Sequence, residues 1–292
     1  MTPAFHFRPE LLHAVDSLHF ASKRKLSSSF VGTNESPHRG AGMQFKEFRQ
    51  YEFGDDVRHI SWTTTAKTGK PMLKLYEEER EINVLLILDT SGSSLFGSKD
   101  QRKIDMYSEV LALLGLSSLQ AGFRFGSLFF DSEVHSYKPP SRKKEEILFS
   151  LNHLISLDLH KRTSDLRPAI QFCLRALKHR SLIVVLSDFL LPPFQDEIKA
   201  LALKHEIIFL QGFDDSERML ASRGVAEICD PETSHFFLLD FESSACRKAV
   251  SQFYAGFTEQ LENISRECHA DFLPLSVQDD YLQRLVTFFN RR

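Results

Sequence analysis

One segment constrains the fold of this chain more than any other: a largely apolar run over residues 82–88 ends in Asp89, and Ser91 and Ser93 follow. A short run rich in leucine and β-branched residues is typical of a parallel strand buried on both faces. In an open α/β sheet, ligands bind at the carboxyl ends of such strands. The sequence therefore predicts that these three side chains share one loop at that edge, where their hard oxygen atoms suit Mg²⁺ or Mn²⁺. The alternative interpretation is a polar turn that caps the next helix.

The rest of the chain alternates strand and helix patterns. The apolar spacing predicts further sheet strands at residues 124–130, 181–187, 206–213 and 272–275. It predicts helices at residues 9–20, 103–119, 143–157, 165–179, 193–203, 243–267 and 279–289. Strand-like runs at residues 225–230 and 235–240 flank Pro231 and predict a hairpin. A mobile loop is expected at residues 27–42 and an acidic loop at residues 214–218.

This alternation predicts an α/β fold with a doubly wound, mostly parallel sheet flanked by helices. We place that domain at residues 81–292. Residues 1–80 are expected to form an N-terminal, β-rich elaboration that also contains the first helix.

Composition excludes several classes of function. The formal net charge is -3, so there is no broad electrostatic case for nucleic-acid binding. The four cysteines are widely spaced, which argues against a zinc knuckle or redox pair and favours reduced thiols. The N-terminus lacks a secretory signal pattern, and no apolar run approaches the ~20 residues that span a bilayer. We therefore expect a cytoplasmic protein without a transmembrane segment.

Two later segments add oxygen donors of the same kind. Thr163 precedes a predicted helix, and Asp188 follows a predicted strand. The order Asp-x-Ser-x-Ser, then Thr, then Asp resembles the metal-ion-dependent adhesion site of von Willebrand factor A domains. The five matching residues are Asp89, Ser91, Ser93, Thr163 and Asp188. The resemblance implies a von Willebrand A-like fold whose Mg²⁺ (or Mn²⁺) ion is completed by an acidic residue of a protein partner.

The segment before the first sheet strand resembles the signature of a bacterial family called domain of unknown function 58. That signature includes Gly-Asp-Asp-x-Arg-x-Ile-Asp-Trp, and residues 54–62 read Gly-Asp-Asp-Val-Arg-His-Ile-Ser-Trp. Ser61 and Lys67 depart from the family's usual Asp and Arg. The signature residues that we single out are Arg49, Tyr51, Gly54, Asp55, Asp56, Arg58, Trp62, Lys74, Tyr76, Glu79 and Arg80.

We interpret the signature residues as an internal network in which arginines pair with carboxylates and Trp62 packs under a sheet edge. The alternative interpretation is a partner surface. The family resemblance further implies a link with MoxR-type AAA ATPases, for which the protein would act as an adaptor in assembly or maturation of a protein complex.

Catalytic motifs are missing from the sequence. It contains no Gly-x-Ser-x-Gly elbow, no His-Glu-x-x-His motif and no nucleotide fingerprint after a strand, so we do not expect an enzyme. Two alternatives to a metal-dependent interaction module stay open. One is a metal-dependent hydrolase that uses Asp89 and Asp188. The other is a metal-independent structural subunit that docks through the N-terminal elaboration.

Overall fold

The computed structural model describes residues 8–19, 43–53, 55–78, 82–98, 101–159, 163–218, 224–229 and 235–292. The chain divides into two compact units, one of residues 1–21 and 82–292 and one of residues 22–81. The first helix, Glu10–Ser17 (α1), therefore belongs to the larger unit, whereas the sequence placed it in the elaboration. The reason is its apolar face, since Leu11, Ala14 and Leu18 are part of the larger unit's core. The loop predicted at residues 27–42 lies outside the described residues.

The smaller unit contains two antiparallel strands, Met43–Gln50 (β1) and Met72–Glu78 (β2), and the helix Trp62–Thr68 (α2). The Oγ of Ser61 accepts a hydrogen bond from the Thr64 N–H and caps this helix, which Gly69 ends at a φ of 70°. The sequence predicted only a β-rich elaboration here. It missed α2 because three consecutive threonines have low helix propensity. Serine and aspartate are both favoured N-caps, so the departure at Ser61 keeps the cap.

The larger unit is built on a six-stranded sheet. Its first five strands are Asn83–Asp89 (β3), Arg124–Phe130 (β4), Val134–Ser141 (β5), Ser181–Ser187 (β6) and Glu206–Phe213 (β7). A separate antiparallel hairpin of Val225–Cys229 (β8) and Phe236–Asp240 (β9) precedes the sixth, Asp271–Ser276 (β10). The order across the sheet is β5-β4-β3-β6-β7-β10, and only β5 is antiparallel to its neighbour. The predicted mostly parallel sheet and the hairpin are confirmed, although the turn around Pro231 is outside the described residues.

Strand β5 was not predicted from the sequence. It lies at the edge of the sheet, contains two adjacent prolines, and has no fully buried residue. Edge strands tolerate proline because one row of backbone groups needs no partner strand. β5 lacks the apolar run from which the other strands of this sheet were predicted.

Helices cover both faces of the sheet. They are Lys103–Gln120 (α3), Lys144–Ser156 (α4), Leu166–Ala176 (α5), Gln195–Ala202 (α6), Asp215–Arg218 (α7), Ser244–Glu267 (α8) and Tyr281–Arg291 (α9). Alternate residues of β3 point into two cores, Leu86 into one with α3 and α9, and Leu85 into the other with α5 and α6. The short α7 replaces the predicted acidic loop, because the Asp214 carboxylate accepts a hydrogen bond from the Ser216 N–H and caps a single turn. Among the described residues, none of the helices combines the length and apolar character of a membrane span.

Candidate functional site

The sheet has one topological switch point, between β3 and β6. From β3 the chain adds β4 and β5 on one side, and from β6 it adds β7 and β10 on the other. The crevice at the carboxyl ends of the two central strands is where open α/β sheets bind ligands. Asp89 is the last residue of β3, and Asp188 directly follows β6. Both predicted carboxylates therefore lie at the switch point.

Asp89 is almost fully buried, at 1% exposure, and both of its oxygens accept hydrogen bonds. Oδ1 accepts from the Ser91 N–H at 2.9 Å. Oδ2 accepts from the hydroxyls of Ser164 at 2.9 Å and Ser187 at 2.6 Å. Ser164 and Ser187 were not among the predicted site residues, although each is the direct neighbour of one that was. The sequence indicates them only by position, since the Ser164 hydroxyl follows Thr163 and the Ser187 hydroxyl precedes Asp188.

The predicted serines join the two carboxylates. The Oγ atoms of Ser91 and Ser93 are 3.1 Å apart, and the Ser93 side chain also hydrogen-bonds Asp188. The Leu190 N–H donates to Asp188 Oδ1 at 3.1 Å. The structure thus brings together Asp89, Ser91, Ser93 and Asp188. Thr163 is exposed to solvent on the segment that carries Ser164.

A buried lysine at this site was missed by the sequence analysis. Lys103, the first residue of α3, has no exposed side-chain surface. Its Nζ donates to Asp188 Oδ2 at 2.9 Å and to Glu217 Oε1 at 2.8 Å. A lysine at a helix start usually faces solvent, so nothing local in the sequence indicates this position. Glu217 lies in the segment that was predicted only as an acidic loop.

The two carboxylates of the switch point have opposite pKa shifts. Burial, together with the nearby Asp188 carboxylate, raises the pKa of Asp89 to about 6. Burial also acts to raise the pKa of Asp188, but the Lys103 ammonium and hydrogen bonds from Ser93 and Leu190 outweigh it and leave that pKa below its usual value. Lys103 therefore compensates Asp188, whereas no cation among the described residues compensates Asp89.

The donor set fits a hard divalent cation. The described residues hold no group of three or more His, Cys, Asp and Glu side chains placed to bind a metal ion, so an ion here would depend on hydroxyls. Asp89, Ser91, Ser93 and Asp188 offer only oxygen donors, which Mg²⁺ and Mn²⁺ prefer. Mg²⁺ usually keeps several waters and needs few protein ligands. The residues present therefore suit Mg²⁺ better than a soft metal.

Two arginines of the signature pair with carboxylates in the smaller unit, in local pairs that are partly or largely exposed and not in the internal network that was expected. The Arg49 guanidinium donates to Asp55 Oδ1 at 2.7 Å, and the Arg58 guanidinium to Asp56 Oδ2 at 2.6 Å. Tyr51 is half-buried and Lys74 is exposed. Tyr76 pairs with Phe45 in the β1–β2 ladder. The side chain of Tyr76 is not among those that the structure describes. Gly54, Glu79 and Arg80 lie outside the described residues.

The predicted packing of Trp62 under a sheet edge is wrong. Its side chain is 71% exposed. Trp62 is the first residue of α2, and none of the seven residues of that helix is buried. The helix thus has no core face into which the indole ring could pack.

A mostly parallel α/β domain with buried carboxylates and hydroxyls at its switch point has the form of a ligand-binding domain. The chain belongs to the family described as "Protein of unknown function DUF58", whose model matches residues 47–260. The family predicted from the signature is therefore confirmed. A relative in Mycobacterium tuberculosis, "Uncharacterized protein Rv1480", is 26% identical over 289 residues, which cover 97% of this chain and 90% of the relative. "Uncharacterized protein MAV169" of Mycobacterium avium is 28% identical over 131 residues, which cover 44% of this chain and 76% of that protein.

Solved structures with a similar fold include BatB from Bacteroides thetaiotaomicron, with a TM-score of 0.47 and 12% identity over 72% of this chain and all of that one. An aerotolerance-related membrane protein from Bacteroides fragilis has a TM-score of 0.46 and 14% identity at the same coverage. The SpRpn10 VWA domain has a TM-score of 0.42 and 12% identity, with 72% of this chain and 95% of that domain covered.

Proposed function

We propose that this protein is a metal-dependent protein-interaction module. Mg²⁺ would be held at the switch point by Asp89, Ser91 and Ser93, with Asp188 and Thr163 completing the predicted set. When bound, the ion supplies a coordination position that a carboxylate of a protein partner can occupy. The observation that carries the proposal is the charge at the site: the carboxylates of Asp89, Asp188 and Glu217 are buried or nearly buried, and the ammonium of Lys103 contacts the last two but not Asp89.

An excess of buried negative charge is unfavourable unless a cation compensates it. Protonation of Asp89 is one solution, and its raised pKa reflects that tendency. A bound divalent cation is the other, since it keeps the carboxylates ionised. Hydroxyls of Ser91 and Ser93 beside Asp89 favour the second solution, because neutral oxygen donors add ligands without adding charge.

The hydrogen bonds of Asp89 and Asp188 favour a role in partner binding over hydrolysis of a substrate. Both oxygens of Asp89 accept hydrogen bonds from serine groups. Both oxygens of Asp188 are also engaged, by Lys103 and by the Leu190 N–H. A carboxylate that attacks a substrate must turn an oxygen away from these donors, whereas a bound cation can share Asp89 Oδ2 with two serine hydroxyls, because the hydroxyls can rotate. We therefore propose an interaction role rather than an enzymatic one.

The partner that we propose is a MoxR-type AAA ATPase, with this protein as its adaptor during assembly or maturation of a complex in the cytoplasm. Support for this partner comes from the family to which the chain belongs. The partner would present an aspartate or glutamate to the metal, because a carboxylate is the anionic side chain that a hard cation binds best.

Ser93→Ala is expected to reduce capture of the ATPase at least tenfold in Mg²⁺, because it removes a metal ligand without changing any charge. The measurement is affinity capture of a purified MoxR-type ATPase from the same organism by immobilised wild type and variant. Both are compared in Mg²⁺, since the ATPase itself needs Mg²⁺ for nucleotide and EDTA would affect both proteins.

The matched control for this experiment is Ser98→Ala, which removes a hydroxyl that bonds Asp214 at the same sheet edge but lies outside the predicted donor set. It should capture the ATPase as wild type does. Equal capture by wild type, Ser93→Ala and the control would contradict a metal-gated mechanism. It would direct attention to the smaller unit, where Arg49 forms a part-buried pair with Asp55 and Arg58 an exposed pair with Asp56, and where the charges of the second pair can be reversed without disturbing a core.

A further inference from the structure

We propose that Lys103 tunes the switch-point site: it weakens the affinity for the metal and strengthens the affinity of the loaded site for a carboxylate. This inference rests on the proposed function, because it concerns the same ion and the same partner group. The inference goes beyond the proposed function by assigning a role to a residue outside the predicted donor set.

The position of Lys103 is fixed by three elements. Its backbone N–H donates to Phe96 O at 2.9 Å, which holds the start of α3 against the turn that carries Ser91 and Ser93. Its ammonium joins Asp188, after β6, to Glu217, on the turn after β7. The side chain has no exposed surface, so it has little freedom to move away from these carboxylates.

Lys103 also limits what Asp188 can do. Asp188 Oδ2 is 2.9 Å from the ammonium and Oδ1 accepts from the Leu190 N–H, so a metal ion would compete with the lysine for this carboxylate. Among the residues that the structure describes, no cation lies beside Asp89 in this way. The ion is therefore expected to lie closer to Asp89 and the serines, with Asp188 acting mainly through its charge.

The net charge of the site explains why the two affinities should move in opposite directions. With all groups ionised, the four side chains of Asp89, Asp188, Glu217 and Lys103 sum to a charge of -2. Arg218, which interacts with Glu217 through its charge, adds the same constant amount in every variant. Without the lysine the sum is -3, and a loaded site keeps a charge of -1. The more negative site attracts a metal more strongly and repels an incoming carboxylate, since charges a few ångströms apart interact strongly in a partly buried site.

Three variants separate the charge from the fold. Lys103→Gln changes the charge of the site to -3, Glu217→Gln changes it to -1, and the double variant restores -2. Mn²⁺ affinity, measured by calorimetric titration of the metal alone, should be highest for Lys103→Gln and lowest for Glu217→Gln. Each step is expected to be on the order of tenfold, and the double variant should match wild type within a few-fold. Circular dichroism and thermal unfolding establish that each variant is folded.

The acidic ligand provides the opposite readout. Acetate is titrated into the Mn²⁺-loaded proteins, and water-proton relaxation reports displacement of metal-bound water. Acetate should bind Lys103→Gln at least several-fold more weakly than wild type, although this variant holds the metal more tightly. A merely structural role for Lys103 would lower both affinities together and would overturn the inference.

The outcomes also separate this inference from the proposed function. If wild type binds no Mn²⁺, the proposed function fails and the inference fails with it. If wild type binds Mn²⁺ but the variants share its affinity, only the role of Lys103 is overturned. If Lys103→Gln does not fold, the comparison of Glu217→Gln with wild type still decides, because unchanged metal affinity there contradicts the charge argument.

Discussion

Asp188→Asn is expected to lower the free energy of unfolding by about 2–4 kcal/mol. The substitution leaves the Lys103 ammonium buried with one of its two carboxylate partners. Asparagine also keeps only one acceptor oxygen, while the aspartate uses one for Lys103 and one for the Leu190 N–H. The measurement is urea unfolding at pH 7 in EDTA.

A suitable control for the stability lost in Asp188→Asn is Asp279→Asn, which removes a carboxylate from an exposed pair with Arg284. Exposed pairs contribute roughly 0–1 kcal/mol, so this variant should unfold close to wild type. Comparable losses for Asp188→Asn and the control would mean that Lys103 does not depend on Asp188 in the folded protein.

Asp89→Asn is expected to have the opposite effect and to stabilise the metal-free protein at pH 7, by on the order of 2 kcal/mol. In the folded state the pKa of Asp89 is raised from 3.8 to about 6. The folded protein therefore holds this proton more tightly than the unfolded chain, and wild-type stability falls as pH rises from about 4 to about 6. The full cost of the charge is present above about pH 6, and asparagine avoids it. Asparagine can also keep the hydrogen bonds of Asp89, because its oxygen can accept from the Ser91 N–H and the Ser164 and Ser187 hydroxyls can rotate to accept from its amide group.

The higher stability expected of Asp89→Asn is tested by urea unfolding of wild type and variant in EDTA at pH 4 and pH 7. The two proteins should differ at pH 7 and become similar at pH 4, where Asp89 is protonated in the folded protein. Adding Mg²⁺ at pH 7 should stabilise wild type and leave the variant unchanged, which would remove or reverse the difference. A variant that is less stable than wild type in EDTA at pH 7 would contradict the account of the Asp89 charge.

The sequence predicted the apolar strands of the sheet well and the elements without an apolar run poorly. The predicted bounds of β4, β6 and β7 agree with the structure, because buried parallel strands are continuous apolar runs bordered by polar turns. Strand β5 and helix α2 escaped prediction, since an edge strand with prolines and a threonine-rich helix lack such patterns. Trp62 was assigned to an interior on composition alone, and the structure exposes it.

The candidate site was predictable where its residues are close in sequence or follow strands. Asp89, Ser91 and Ser93 lie within five residues at the end of one strand, and Asp188 could be placed because it directly follows another. Lys103 and Glu217 could not be placed, as the contacts of Lys103 with Asp188 and Glu217 join residues 85 and 114 positions apart. Such contacts depend on strand order, which no local pattern contains.

The central claim, that a divalent cation binds at the switch point, is tested most directly by calorimetric titration of Mg²⁺ into EDTA-treated protein at pH 7.5. Wild type is predicted to bind one ion per chain, and the double variant Ser91→Ala/Ser93→Ala none. The absence of binding to wild type, or equal binding to the double variant, would contradict the claim.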